Sequence, residues 1–380
     1  MIIVWVILGA AVLLFLQDRL YAHYWNKNLT VGLAFAEESA TEGDTGVLCE
    51  TVENRKILPL PALKVKFAVS RHLIFEEADG GSSVTDQFYR NDVLSVRPYM
   101  RHVRRLFFLC KKRGYYTITA LDVVAGNLFL SRELPMSLKC DAQFYVYPRP
   151  WKEQSFLRTL QKLNGEILSR RHLLEDPFEY RGIREYFPGD AMRDINWKAT
   201  ARTGDLKVNM KNYTALKAVR LFVNLEDGAL LRREDMLEAS ISMAAGAAAF
   251  FLDQGIRTAL YTNGPDILTG DPVGMEASSG PAHMETINRG LARIDLSESA
   301  PRFRMQLEEK VLGDGNGAGD VFSIFISNDA QDDFQDLLCT CLEKGMGFAW
   351  LCPVQHPEEN AVRPALEKYT HQIVINGGWA

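Results

Sequence analysis

Between Glu179 and Gly204 the chain sets Arg181, Arg184, Arg193, Lys198 and Arg202 among Glu179, Glu185, Asp190 and Asp194, with Tyr186, Phe187 and Trp197 interleaved. Arginines and carboxylates at this density pair with each other, and a network of such pairs can fix a segment to its neighbour. The same residues also suit a docking surface, with Trp197, Tyr186 and Arg184 as anchors, because Trp, Tyr and Arg carry most interface energy. A catalytic site is the third reading. No G-x-S-x-G, H-E-x-x-H or Cys/His nucleophile arrangement accompanies the cluster, and the seven histidines are scattered. No catalytic residue and no enzyme activity is therefore expected.

The elements that must hold these residues can be read outward from them. Pro188-Gly189 is a turn dipeptide. Asp190 is expected to cap a helix whose first turn begins at Ala191. On that helix Asp190 and Asp194, and Asp194 and Lys198, share faces at a spacing of four. Gly204 suits the position after the helix end. Leu206, Val208 and Met210 alternate with Lys207, Asn209 and Lys211, the pattern of a half-exposed strand. Upstream, Trp151 to Leu174 reads as an amphipathic helical connector with Phe156, Leu160, Leu163, Ile167 and Leu168 on one stripe. Residues 151–176 are the connector and 177–216 the segment that carries the cluster.

Beyond Lys217 strands and helices alternate. Val219 to Leu225, Arg257 to Tyr261, Val321 to Ile326 and Phe348 to Cys352 are apolar strands. Glu234 to Gln254, Met284 to Ile294, Phe303 to Leu312 and Asp332 to Lys344 are helical. This order predicts a mostly parallel sheet covered on both faces, a doubly wound α/β domain over 217–380. From Leu29 to Pro148 short alternating runs such as Leu63 to Val69 and Tyr115 to Ala120 are separated by turns at Glu42-Gly43-Asp44, Asp79-Gly80-Gly81, Arg113-Gly114 and Ala125-Gly126-Asn127. That spacing predicts an antiparallel β-sandwich over 28–150, with Pro59 and Pro61 at an edge or strand entry.

Ile2 to Leu16 is an unbroken apolar run, extended by Leu20, Tyr21, Tyr24 and Trp25. It lacks the preceding basic residues and small-residue cleavage site of a signal peptide, so residues 1–25 are expected to be a single transmembrane anchor. Arg19, His23 and Lys27 follow the run and no Lys or Arg precedes it. The positive-inside rule then puts the bulk of the chain in the cytoplasm, at the cell membrane. The six cysteines, Cys49, Cys110, Cys140, Cys339, Cys341 and Cys352, have no zinc spacing and read as reduced thiols. At a net charge of −5 the chain is not a nucleic-acid binder. Gly313 to Asp320 is glycine-rich but precedes a strand and lacks a following Lys-Ser or Lys-Thr, so a surface loop is expected rather than a phosphate cradle.

The cluster resembles the signature of the "domain of unknown function 58" family, close to R-E-Y-x-P-G-D-x-x-R-x-I-[DN]-W-x-x-[ST]-A-R-x-G-x-L. The chain matches it at Arg184, Glu185, Tyr186, Pro188, Gly189, Asp190, Arg193, Ile195, Asn196, Trp197, Thr200, Ala201, Arg202, Gly204 and Leu206. The resemblance implies membrane segments, a β-rich middle with an R-G-x-Y turn (here Arg113 to Tyr116) and a von Willebrand factor A-like α/β domain. Many relatives have two membrane segments, whereas one is visible here. The resemblance also implies a partner, a MoxR-type AAA+ ATPase. A-type domains often hold a divalent cation on D-x-S-x-S and distal residues, for which oxygen ligands suit Mg²⁺. Here Asn224, Glu226 and Gly228 stand in that motif, and Asn328 and Asp329 follow the later strand, a degenerate set from which no metal site is expected.

The expected function is that of a membrane-tethered, cytoplasm-facing adaptor without a cofactor. The alternatives are a Mg²⁺-dependent ligand-binding A-type domain and, third, a hydrolase.

Overall fold

The computed structural model describes residues 2–75, 82–84, 87–173, 175–188, 190–213, 218–226, 233–297, 299–312, 321–356 and 361–375. Gly189, Gly228, the Asp79-Gly80-Gly81 turn and the Gly313 to Asp320 loop lie outside the described residues. The chain divides into two compact units, Met1–Arg149 and Pro150–Ala380.

The first unit opens with helix α1 (Ile2–Tyr24). Twenty-two of its residues, Ile3–Tyr24, are long and apolar enough to cross a membrane. Ten strands follow: β1 (Leu29–Phe35), β2 (Ser39–Thr41), β3 (Thr45–Asn54), β4 (Leu60–Ser70), β5 (Leu73–Phe75), β6 (Ser82–Val84), β7 (Gln87–Val96), β8 (Arg101–Cys110), β9 (Gly114–Gly126) and β10 (Glu133–Tyr147). They form a four-stranded sheet, β1-β3-β8-β5, and a six-stranded sheet, β2-β10-β9-β4-β7-β6. The pairings are antiparallel except β2 with β10. Alternate residues of the two sheets share one core: Leu48 and Val52 of β3 and Phe108 of β8 meet Val65 of β4, Val123 of β9 and Phe144 of β10. Phe144 stacks on Phe35 and meets Phe108 edge-on across that core. Pro61 falls where β4 slips register against β7, the kind of irregularity that tolerates proline.

Part of this core is charged. Arg90 Nε donates to Asp92 Oδ2 at 2.7 Å, and Arg104 Nη1 donates to Asp92 Oδ1 at 3.0 Å. The Arg90 guanidinium also lies 5.3 Å from the centre of the Phe75 ring. Glu50, on β3 between Leu48 and Val52, is 1% exposed, and neither of its carboxyl oxygens has a hydrogen-bond partner. Burial, and then the charge of Asp92, push the Glu50 carboxyl up to about 7 against the pull of Arg104 and Arg90.

The second unit contains α2 (Gln154–Leu173), β11 (Glu175–Glu185), α3 (Trp197–Thr203), β12 (Lys207–Tyr213), β13 (Ala218–Val223), α4 (Glu234–Asp253), β14 (Thr258–Pro265), β15 (Pro272–Ser278), α5 (Pro281–Arg293), α6 (Phe303–Leu312), β16 (Val321–Ile326), α7 (Asp332–Glu343), β17 (Gly347–Val354) and β18 (Thr370–Val374). Its main sheet runs β15-β14-β13-β16-β17-β18. All neighbours are parallel except β15, which is antiparallel to β14.

The strands alternate between two cores. Val219, Leu221 and Val223 of β13 pack with α2, α4 and α5, while Phe222 faces α6 and α7. Both faces are thus covered, which is why these strands read as near-continuous apolar runs. Helix α4 also has the length and composition of a membrane span, but 72% of that window is buried, so it is a core helix.

Helix α2, expected as a connector, contributes Phe156, Leu160, Leu163 and Ile167 to the α4 side of this core. Leu168, expected on the same stripe, is 42% exposed. The chain approaches α4 closely at Trp151, whose N–H donates to the Ser242 carbonyl at 3.0 Å. A Cβ on Gly246 would come within 2.7 Å of the Trp151 carbonyl oxygen, so only glycine fits there. All six cysteines are free thiols.

Candidate functional site

The signature is built on the two-stranded sheet of β11 and β12, which pairs Glu185 with Lys207, Arg184 with Val208 and Ile183 with Asn209. At the end of β11 a tight turn closes: the Asp190 N–H donates to the Phe187 carbonyl at 3.0 Å. Asp190 Oδ2 accepts the Phe187 N–H at 2.8 Å. The same carboxylate receives both arms of Arg184, Nη1 at 2.7 Å and Nη2 at 2.6 Å, a bidentate geometry. Arg184 also lies 5.6 Å from the centre of the Phe187 ring. The Arg184 guanidinium, and then the Phe187 N–H, hold the Asp190 carboxyl down to about 2. Lys207 Nζ pairs with Glu185 Oε1 at 3.2 Å.

The helix expected from Ala191 does not form there. Met192–Asp194 is one 3-10 turn without a side-chain cap, and α3 starts at Trp197. The break has a tertiary cause. Ile195 is extended and pairs with Val208, and the two are 5% and 3% exposed. That apolar contact outweighs continuing the helix through position 195. Asp190 and Asp194 therefore share no helix face, nor do Asp194 and Lys198.

The cap is Asn196. Its Oδ1 accepts the Ala199 N–H at 2.9 Å, and its Nδ2 donates to Asn209 Oδ1 at 2.6 Å. Its own N–H donates to the Lys207 carbonyl at 2.8 Å. Thr200 Oγ1 accepts the Lys207 N–H at 3.0 Å. Gly204 ends α3 at φ 79°, the left-handed conformation that favours glycine.

Around this scaffold the remaining signature side chains face solvent. Ile183, Phe187, Met192, Trp197 and Leu206 are 53%, 63%, 68%, 64% and 44% exposed. Pro188 is exposed and Tyr186 half-buried. Arg193, Lys198 and Arg202 are exposed and pair with no described residue. Arg193 thus joins no ion pair among the described residues, and the pair that forms is Arg184 with Asp190, at the surface.

The positions of the degenerate metal set also converge. The sheet order reverses at β13, with β14 on one side and β16 on the other, so the carboxyl ends of β13 and β16 flank the crevice where α/β sheets usually bind ligands. Asn224 Oδ1 accepts the Glu226 N–H at 2.9 Å and Asn263 Nδ2 at 3.3 Å, and Asn224 Nδ2 reaches Asp329 Oδ2 at 3.5 Å. Glu226 Oε2 accepts the Phe303 N–H at 3.0 Å, which places a negative charge at the start of α6. Asp329 Oδ1 accepts the Gln331 N–H at 3.0 Å, and Asn328 is 2% exposed. Asn263, not noticed in the sequence, ties this set together, accepting the Leu225 N–H at 2.8 Å and donating to the Pro301 carbonyl at 2.7 Å. Its signal was the polar pair Thr262-Asn263 directly after the apolar run Ala259 to Tyr261 of the strand Thr258–Pro265. Among the described residues no three His, Cys, Asp or Glu side chains gather as a metal cage.

No curated protein matches the chain. Among solved structures it is similar to a non-cellulosomal cohesin from the hyperthermophilic archaeon Archaeoglobus fulgidus, at 10% identity over 31% of this chain and 91% of that one, with a TM-score of 0.21. It is similar to the full-length major pilin SpaD from Corynebacterium diphtheriae at 12% identity over 33% and 38%, with a TM-score of 0.23. For a GH20 exo beta-N-acetylglucosaminidase from Vibrio harveyi the figures are 9% identity, 87% and 58%, and 0.22. Likenesses at such TM-scores carry no argument about fold or activity. Residues 182–338, from within β11 to within α7 and so spanning both the signature and the crevice, match the model of a family described as Protein of unknown function DUF58.

Proposed function

We propose that the chain is a membrane-tethered adaptor that docks a protein partner on the exposed side of its signature. The observation that carries this reading is a division of labour within one segment. Asp190, Asn196, Thr200 and Gly204 satisfy the local backbone, while Phe187, Met192 and Trp197 stay exposed beside the unpaired cations Arg193, Lys198 and Arg202. Exposed aromatic and cationic side chains on a rigid support are what interface hot spots are made of. In this reading α1 spans the cell membrane, the bulk of the chain is cytoplasmic, the β unit is a sandwich and the α/β unit is von Willebrand factor A-like. A MoxR-type AAA+ ATPase is the partner that the family resemblance implies. No step of catalysis enters the reading.

The test uses the full chain in detergent and a purified MoxR-type ATPase. Trp197→Ala is expected to weaken capture about thirtyfold, the lower edge of a hot-spot effect. Lys198→Ala is expected to weaken it less. Wild-type capture by both variants sinks the docking reading.

A second reading, a Mg²⁺-dependent ligand-binding domain, is favoured by one observation, the meeting of Asn224, Glu226 and Asp329 at the crevice. It predicts a Mg²⁺-induced rise in melting temperature that Glu226→Ala abolishes. The adaptor reading predicts none in low-millimolar Mg²⁺.

A further inference from the structure

Helix α1 is joined to the β unit well before it ends. Asp18 Oδ1 accepts Asn127 Nδ2 at 3.1 Å, and Asp18 Oδ2 pairs with Arg132 Nη1 at 3.0 Å. Tyr21 donates its hydroxyl to the Pro59 carbonyl at 3.0 Å. Helix α1 is long and apolar enough to cross a membrane, and its side chains from Ile3 to Leu16 are exposed, so a bilayer around it reaches the loops that grip its far end.

Those loops carry exposed apolar side chains of their own. Leu128, Phe129 and Leu130 are 47%, 60% and 62% exposed and belong to the loop whose Asn127 and Arg132 hold Asp18. Ile57 is 77% exposed in the loop whose Pro59 accepts Tyr21. Tyr99 is 71% exposed, and its loop is fastened to the Ile57 loop by the Tyr99 N–H on the Lys56 carbonyl and by Asn54 Nδ2 on the Leu58 and Arg97 carbonyls. Leu130 and Tyr99 hold φ of 56° and 52°, a costly conformation for such residues, so these tips are fixed turns. Single exposed apolar residues are ordinary. Here they sit on three loops bonded to, or beside, the end of one apolar helix. Exposed cations lie close by, Arg19 on α1, Lys27 in the turn that follows it, and Arg55 and Arg97 in the same loops, as they do where proteins meet phosphate headgroups.

We propose that Ile57, Tyr99, Leu128, Phe129 and Leu130 form a seat beside the exit of α1 that sinks into the acyl–headgroup boundary of the bilayer. The β unit is then embedded at its edge and not merely tied to the membrane. This inference rests on the membrane-tethered reading above. Continuity with an exposed apolar helix long enough to cross a membrane selects lipid over a protein as the occupant.

The experiment places the full, unsubstituted chain in phosphatidylcholine–phosphatidylglycerol vesicles containing a phospholipid with a diazirine in its acyl chain. After illumination, the captured residues are read by peptide mass spectrometry. The expected result is label on α1 and, in addition, on the 127–131 loop and at Ile57 or Tyr99. Label confined to α1 overturns the seat and leaves the tether standing. Absence of label on α1 overturns the tether, and the seat with it.

Discussion

Two arginine–aspartate constellations in this chain are made of the same groups and live in opposite surroundings. In the β unit the Arg90 and Asp92 side chains are each 3% exposed. In the α/β unit those of Arg184 and Asp190 are 37% and 18% exposed. Neighbouring carboxyls respond in opposite directions. Beside the buried pair, desolvation pushes Glu50 up to about 7, whereas at the surface the guanidinium pulls Asp190 down to about 2. Water makes the difference. Where it is excluded, every unmatched charge is costly and the residues act as a unit. Where it remains, the pair arranges a local turn and contributes little to global stability.

The largest effect should come from cutting the buried pair. Arg90→Ala leaves Asp92 with Arg104 alone and should reduce the opening free energy of β3, β7 and β8 by about 3–5 kcal/mol, read by hydrogen exchange on the full chain. An effect below about 1 kcal/mol would make the two constellations equivalent and dissolve the comparison.

Next comes pH. Glu50 binds its proton more tightly folded than unfolded, so its contribution is present below about pH 4.5 and is lost as pH rises toward about 7. Between pH 5 and pH 8 the β unit should lose about 2–3 kcal/mol more stability in wild type than in Glu50→Gln. Parallel profiles for the two proteins would show that Glu50 is ionised or solvated in the fold.

Asn196→Ala removes the cap of α3 and the bond to Asn209, and should cost about 1 kcal/mol locally, seen as faster exchange at Ala199 and Thr200. Unchanged exchange there would move the start of α3 elsewhere.

The smallest effect is expected for Arg184→Ala. Exchange should quicken only around 186–190, because Asp190 still accepts the Phe187 N–H. Loss of protection in β13 or β16 would sharpen the comparison the other way, by showing that an exposed pair supports the core.

The α/β elements were legible because their signals are local. Val321–Ile326 and Phe303–Leu312 occur with the expected limits, set by continuous apolar runs and helical spacing. The edge strands β15 and β18 were not seen, since Pro272 and Gly274, residues that disfavour strands, stand among the alternating Val273, Met275 and Ala277, and Thr370–Val374 is short. The start of the signature helix was misplaced by six residues, from Ala191 to Trp197, because both Asp190 and Asn196 have cap chemistry. What selects Asn196 is the pairing of Ile195 with Val208, a contact that needs β12 already in place. The exposure of Arg193 follows from the same contact. The charged interior of the β unit left one trace. Glu50 stands two residues from Leu48 and two from Val52, on the inward phase of β3, where alternation alone would call for an apolar side chain.

Tyr21 and Trp25, at 3% and 5% exposed, make the end of α1 part of the β core rather than a leader to it. Mechanically this removes the swivel. A tilt or pull applied along the helix reaches the sheets through packed rings and the Asp18 contacts without first taking up slack in a linker. The unit moves with its helix as one stiff lever, with a set height and a set bearing. In the membrane-tethered reading proposed above, each copy of the β unit is therefore presented at the same angle.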